Sequence, residues 1–283
     1  MSELLKGKEV ADAINKRSIE TVNELKEKGI TPALAIFRVG NKESDLSYER
    51  GAEKRCEEVG VKVVKYVFDE DVEIEDFYDK LLDANNDPTI HGILVFRPLP
   101  KRFDDELLRN SINPYKDVDG CSDLSLAGLF TNKKTGFAPC TAQAAVEILD
   151  HYGIEVSGKN VVIIGRSLVI GKPLSMLLLN RNATITICHR KTVDTPLIAS
   201  KADILVCAAG EPEMVNKNYT NPHQIIVDVG INWNVEKQKI CGDVLFDEVE
   251  PLVKAITPVP GGVGSVTTSV MVSHVVEACK RGY

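Results

Sequence analysis

The chain has 283 residues, 43% of them hydrophobic and 27% charged, with a formal net charge of −7. That length suits two domains or one large one, and the composition is that of an ordinary globular protein. The negative balance argues against general binding to nucleic acid or a membrane surface, and no apolar run approaches the ~18 residues of a membrane span.

In chain order, MSELLKGKEVADAINKR reads as a helix. It lacks the apolar stretch and small-residue cleavage site of a signal peptide, so a cytoplasmic location is expected. ALAIFRVG (33–40) is a β-rich run, followed by a helix over 44–59. VKVVKYVF (61–68) alternates as a strand, 72–84 forms an amphipathic helix, and GILVF (92–96) is a short apolar strand. This βαβαβ order implies parallel strands with right-handed crossovers. YKDVDGC (115–121) sets Asp117 and Asp119 in a turn. Two carboxylates could begin a metal site, but the nearby chain offers no third ligand, and an exposed turn is the other reading. Residues 131–143 read as a polar loop before a helix at 141–153.

A second α/β series follows. NVVIIG (160–165), ATITICH (183–189), ADILVCAAG (202–210) and QIIVDVG (224–230) are strands, GKPLSMLLLN (171–180) is a helix, and a last helix spans 266–281. The expected fold is α/β and two-lobed. Residues 1–140, joined by 266–283, form the first lobe, and 141–265 form a Rossmann-type, doubly wound parallel-sheet lobe. The seven cysteines are scattered without a CxxC pair, as suits buried reduced thiols, and the five histidines make no metal-binding cluster.

The sharpest local signal is VVIIGRSLVIGKP (161–173). A strand ends at Gly165, a turn carries Arg166 and Ser167, and Gly171 opens a helix with Pro173 in its first turn, where proline is tolerated. Backbone N–H groups at such a helix start favour a diphosphate. Ser167 stands where the G-x-G-x-x-G pattern has its middle glycine, so an ordinary βα turn is the alternative. VDVGIN (227–232) ends a later strand in a glycine turn, where a nicotinamide edge could lie. The second strand of this series ends in Arg190-Lys191-Thr192. A carboxylate there would repel a 2′-phosphate, whereas two cations and a hydroxyl attract one. The expected cofactor is NADP, with NAD as the alternative; the two cations could also be plain solvated loop charges. ITPVPGGVGSVTTSV (256–270) is a proline-fixed bend and glycine hinge. It either lets backbone approach a ligand closely or serves as a mobile linker.

VGNKESDLSYERGAEKRCEEVG, HGILVFRPLP, KDVDG, GFAPCTA, VVIIGRSLVIGKP, CHRKT, GDVLFDEV and ITPVPGGVGSVT occur in this order. Together they resemble the methylenetetrahydrofolate dehydrogenase/cyclohydrolase (FolD) family over nearly the whole chain. The resemblance implies two lobes with a cleft between them, a homodimer, tetrahydrofolate as substrate, and NADP or sometimes NAD on the second lobe. It implies oxidation of 5,10-methylenetetrahydrofolate to the methenyl form, then hydrolysis to 10-formyltetrahydrofolate. By the same resemblance Tyr48 stacks on the folate, and Asp119 binds the pterin, whose N–H donors a carboxylate accepts in pairs. Both are the expected catalytic residues. Phe96 and Arg97 join the substrate site. Pro260, Gly261, Gly262, Val263 and Gly264 form the loop that closes on the folate. Gly165, Arg166 and Ser167 take the diphosphate, Ile231 contacts the nicotinamide, and Arg190 stands near the 2′-phosphate. No metal is implied.

The chain also departs from the family pattern. The family helix has lysine four residues after the tyrosine; here that position is Ala52. Phe96 replaces the glutamine that supports this lysine, Arg97 replaces an apolar residue, Asp45 a serine, and Ser265 the proline after GGVG. Lys54 matches a different family position. Arg55 shares Tyr48's helical face but lies about 10 Å along the axis. Hydride transfer needs chiefly two oriented reactants, whereas water addition and ring opening need proton transfer worth ~10²–10⁴-fold. The expectation is a dehydrogenase with weak or absent cyclohydrolase. Two alternatives stay open: a bifunctional enzyme using Arg97, Arg55 or Lys54, and a folate- and nucleotide-binding protein without turnover.

Overall fold

The computed structural model describes residues 2–282. The chain divides into two compact units. One comprises the residues up to Asp12 together with Thr141–Thr267, the other Ala13–Cys140 together with the residues from Thr268 on. Among the described residues no helix is long and apolar enough to cross a membrane.

The chain opens with strand β1 (Glu3–Leu4) and helix α1 (Gly7–Glu27). Next come β2 (Ala33–Val39), α2 (Glu43–Val59), β3 (Lys62–Phe68), α3 (Ile74–Asn86) and β4 (Gly92–Val95). The short helices α4 (Asp105–Ser111) and α5 (Asp123–Phe130) follow. The first sheet is parallel, in the order β3-β2-β4. Its central strand β2 is buried at every position, which is why it reads as a continuous apolar run rather than an alternation. Phe37, Phe77, Leu81 and Ile93 fill the core against α3. The chain at Lys116–Asp117 runs parallel beside β4, with the Ile93 amide donating to the Lys116 carbonyl at 2.7 Å.

Helix α2 buries Glu49, Ala52, Cys56 and Val59, a stripe at helical spacing. The glutamate is tolerated there because Arg38, itself buried on β2, meets it at 2.8 Å. Arg38 also donates to the Gly40 carbonyl and to Asn41, so the pair ties α2 to the end of β2.

The other unit takes up α6 (Cys140–His151) after its first residue, then β5 (Asn160–Ile164), α7 (Gly171–Leu179), β6 (Thr184–Cys188) and α8 (Thr195–Ala199). It continues through β7 (Ile204–Cys207), β8 (Ile225–Asp228), the antiparallel hairpin β9 (Asn232–Asn234) and β10 (Lys239–Cys241), α9 (Phe246–Val249) and β11 (Ala255–Ile256). The last helix, α10 (Thr267–Arg281), belongs to the first-described sheet's unit from Thr268 on. The second sheet is parallel throughout, in the order β1-β11-β8-β7-β5-β6. From β5 the chain steps one way to β6, and from β7 the other way to β8 and β11. Right-handed crossovers then put connections on both faces, giving the doubly wound lobe expected from the sequence.

Two details differ from the sequence reading. Residues 1–12 were expected in the first lobe, but Glu3 and Leu4 pair with Ala255 and Ile256, which draws the start of the chain into the second sheet. Of the two readings open for Asp117, the exposed turn does not hold: the residue is fully buried and accepts from the Cys121 and Ser122 amides and the Ser125 hydroxyl.

Candidate active site

The first cluster lies at the C-terminal edge of the three-stranded sheet, where α/β folds gather their ligand-binding loops. Tyr48 stands on α2, and Phe96 and Arg97 follow directly on β4. The Tyr48 and Phe96 rings meet edge to face, with centroids 5.6 Å apart. The Arg97 guanidinium lies 3.6 Å from the Asp119 carboxylate and 3.4 Å from Asp105. Asp119 is fixed by the turn after it. Gly120 has φ +66, and a side chain there would strike the Phe137–Pro139 backbone, its Cβ falling 2.5 Å from the Pro139 nitrogen. Only glycine allows so close an approach in this conformation. The approach brings Asp119 near Cys140, the first residue of α6, whose thiol donates to the Val118 carbonyl at 3.1 Å.

Burial pushes the Asp119 carboxyl up from 3.8 to about 6, while Arg97 pulls it down and buried Asp117 adds to the rise. Burial likewise raises the Tyr48 phenol, helped by Cys140 and Asp119; its hydrogen bond with Thr268 opposes this. Sequence reasoning missed Cys140 and Thr268 as neighbours of Tyr48 and Asp119. Their signals were the motifs GFAPCTA and SVTTS, which carried no role there.

Ala52 is 0% exposed, while Tyr48, one turn away, is 36% exposed. The cations that could stand in for a lysine at 52 are differently engaged. Lys54 points to the exposed side of α2, Arg55 pairs with Glu58 at 2.8 Å, and Arg97 is held by the two aspartates already described.

The second cluster lies at the C-terminal ends of β5, β6 and β7, where the strand order reverses. A cavity of about 500 Å³ opens there, within the ~300–1,000 Å³ usual for small-molecule sites. Gly165, Arg166 and Ser167 line it after β5, His189, Arg190 and Thr192 after β6, and Ala208, Ala209 and Glu211 after β7. Gly165 has φ +132, and a Cβ there would fall 2.2 Å from the Ala208 carbonyl oxygen. The turn is therefore closed to larger residues and open on its ligand side. The Ser167 hydroxyl accepts from the Ile170 amide at 3.1 Å, shaping the turn that leads into α7. These residues fit a dinucleotide: a close-packed glycine turn, a nine-residue helix behind it and a cavity of the right size.

Arg190 does not stand free. Its guanidinium meets the Glu211 carboxylate at 2.7 Å, a partner the sequence reading did not foresee although AAGEP carried the signal. Lys191 lies beside it, exposed.

A third concavity, of about 240 Å³, is lined by Gly230, Ile231 and the whole Pro258–Ser265 loop. It brings together the residue expected at the nicotinamide and the loop expected at the folate. Ile231 packs so closely on Gly264 that a Cβ there would fall 2.9 Å from its Cδ1. The loop is anchored from below, where the Gly7 amide donates to the Gly261 carbonyl at 2.8 Å. Among the described residues no group of three or more His, Cys, Asp or Glu is arranged to hold a metal ion.

Residues 5–119 match the description tetrahydrofolate dehydrogenase/cyclohydrolase, catalytic domain, and residues 139–283 match its NAD(P)-binding domain. The chain is 49% identical over 281 residues to the bifunctional protein FolD of Alkaliphilus metalliredigens, covering 99% of each sequence. It superposes on the bifunctional FolD methylenetetrahydrofolate dehydrogenase/cyclohydrolase of Campylobacter jejuni with a TM-score of 0.95 at 37% identity, over 99% of each chain. The Trypanosoma brucei N5,N10-methylenetetrahydrofolate dehydrogenase-cyclohydrolase, solved with NADP and an inhibitor, gives 0.91 at 32% identity, over 99% of this chain and 98% of that one.

Proposed function

Because the chain belongs to the tetrahydrofolate dehydrogenase/cyclohydrolase family, we propose that it oxidises 5,10-methylenetetrahydrofolate with NADP and hydrolyses the methenyl product little or not at all. The observation that carries this reading is the fully buried alanine at position 52, one turn from Tyr48, with Lys54 on the exposed side of the same helix.

The bound dinucleotide supplies the hydride acceptor. Gly165, Arg166 and Ser167 hold its diphosphate, Arg190 takes the 2′-phosphate, and Ile231 flanks the nicotinamide. On the substrate side Tyr48 and Phe96 present ring surface to the folate, and the Asp119 carboxylate accepts from the pterin N–H groups. The Pro260–Gly264 loop lines a concavity with Ile231 and is the folate-contacting loop of this proposal. As the methylene C–H bond breaks with its electron pair, the substrate's own nitrogen lone pair fills the electron deficit and gives the methenyl cation. Orientation is thus most of what the protein must provide, and it lowers such barriers substantially.

Hydrolysis is different. Water must lose a proton as it adds to the methenyl carbon, and a ring nitrogen must gain one as its C–N bond breaks. A guanidinium stays charged and is a poor relay, so Arg97 and Arg55 do not replace an amine. A second reading rests on Asp119: a carboxyl pushed up to about 6 can accept a proton near neutral pH, and with it the enzyme would be fully bifunctional.

The test is to mix purified protein with methylenetetrahydrofolate and either NADP or NAD. Reduced cofactor with accumulating methenyl product supports the proposal. Reduced cofactor with 10-formyltetrahydrofolate, formed faster than spontaneous hydrolysis, supports bifunctionality. Binding without reduction would overturn both. A homodimer is the proposed assembly, checked by sedimentation equilibrium.

A further inference from the structure

We propose that Glu211 is a specificity-determining residue of the dinucleotide site, set against the 2′-phosphate so that the protein accepts NAD as well as NADP. The inference rests on the reading that Arg190 faces the 2′ position, and it concerns what else stands there.

Three observations support it. Glu211 and Arg190 line the same cavity from the ends of different strands, and their side chains meet at 2.7 Å. The backbone beneath Glu211 is pinned. The fully buried Asp243 accepts from the Ala209 amide at 2.6 Å, the Gly210 amide at 3.1 Å and the Glu211 amide at 3.1 Å. The carboxylate is thus delivered to one place rather than swept over the surface. The pair is also exposed, at 80% for Arg190 and 39% for Glu211. An exposed pair holds weakly, so an incoming ligand can break it.

The two cofactors meet this pair differently. A ribose 2′-hydroxyl can donate to the Glu211 carboxylate and accept from Arg190 without parting them. A 2′-phosphate must displace the carboxylate from the guanidinium and then sit beside a like charge. Arg190 alone would favour NADP strongly, and Glu211 takes much of that preference back.

The test needs no turnover. Dissociation constants for 2′-phospho-ADP-ribose and ADP-ribose are measured by calorimetry on the wild type and on Glu211→Gln, with Glu211→Ala as a second variant and circular dichroism to check folding. Removing the charge should tighten the 2′-phosphorylated ligand about tenfold relative to ADP-ribose, the scale of one screened charge at contact range. The gain should shrink as salt is raised, and Glu211→Asp should restore most of the wild-type ratio. In turnover the change should fall on KM for NADP and not on kcat. An unchanged ratio in both variants, or equal tightening of both ligands, overturns the inference. The NADP reading fails separately. A wild type that prefers ADP-ribose sinks that reading, yet a shift in Glu211→Gln still upholds the role of Glu211.

Discussion

Position 52 is a test of how much chemistry one side chain controls. The double variant Ala52→Lys, Phe96→Gln restores both members of the pair that the family resemblance implies. It should raise methenyl hydrolysis by about 10² or more, read as loss of methenyl absorbance; no rise would remove Ala52 as the cause of a weak cyclohydrolase. Asp119 gives a second residue-level prediction. Its folded carboxyl is raised from 3.8 to about 6, first by burial. On the proposed role of Asp119, whose carboxylate accepts from the pterin, kcat/KM for the folate should fall as pH drops through about 6. Asp119→Asn should abolish that limb while weakening binding at every pH. Stability runs the other way. Between pH 3.8 and about 6 the folded state holds this proton better than the unfolded chain. This group therefore favours the fold below that window, and its contribution is lost as pH rises through it. Urea unfolding against pH, with Asp119→Asn as control, measures the slope.

At the scale of elements, Tyr48 depends on how α2 is seated, and the seat is the buried Arg38–Glu49 pair. Glu49→Ala strands a buried guanidinium and should cost about 3–5 kcal/mol, measured by denaturant unfolding. Adding Arg38→Met should recover part of that loss. The same elements show what the sequence made legible. Apolar runs such as ALAIFRV and NVVII predicted β2 and β5, because a strand buried on both faces needs no alternation. The glycine turn after β5 was legible as a strand–turn–helix junction, and Gly165, Arg166 and Ser167 line a cavity there. What escaped was set by distant partners. Two-residue strands such as β1 and β11 carry no local pattern: β1 exists because it pairs with β11, and β11 because it lies between β1 and β8. Helices α4 and α5 are held by caps, with the Asp104 side chain accepting from the Leu107 amide and the Ser122 side chain from the Ser125 amide, in stretches too short for periodicity to register. The Glu211–Arg190 contact joins the ends of two strands, which a linear reading cannot bring together.

For the molecule as a whole, the seven cysteines are free, six of them buried and Cys121 half-buried. Burial pushes the Cys279 thiol up to about 11 and Cys56 to about 12, and Cys140 and Cys207 well above their usual range. The native protein at neutral pH should therefore react slowly with Ellman's reagent, Cys121 included, whose thiol burial and Asp117 also push up, and all seven thiols should titrate at once in denaturant. Rapid release of several equivalents from the native protein would contradict this burial. The start of the chain has a different consequence. Ser2 donates to the Glu250 carboxylate at 2.7 Å across 248 residues, just before β1 completes the edge of the nucleotide sheet. At the usual ribosomal pace, roughly 12–50 s separates the emergence of these two ends. Strand β1 is thus synthesised well before its partner β11, and in that interval the loop that Gly7 anchors has not been made.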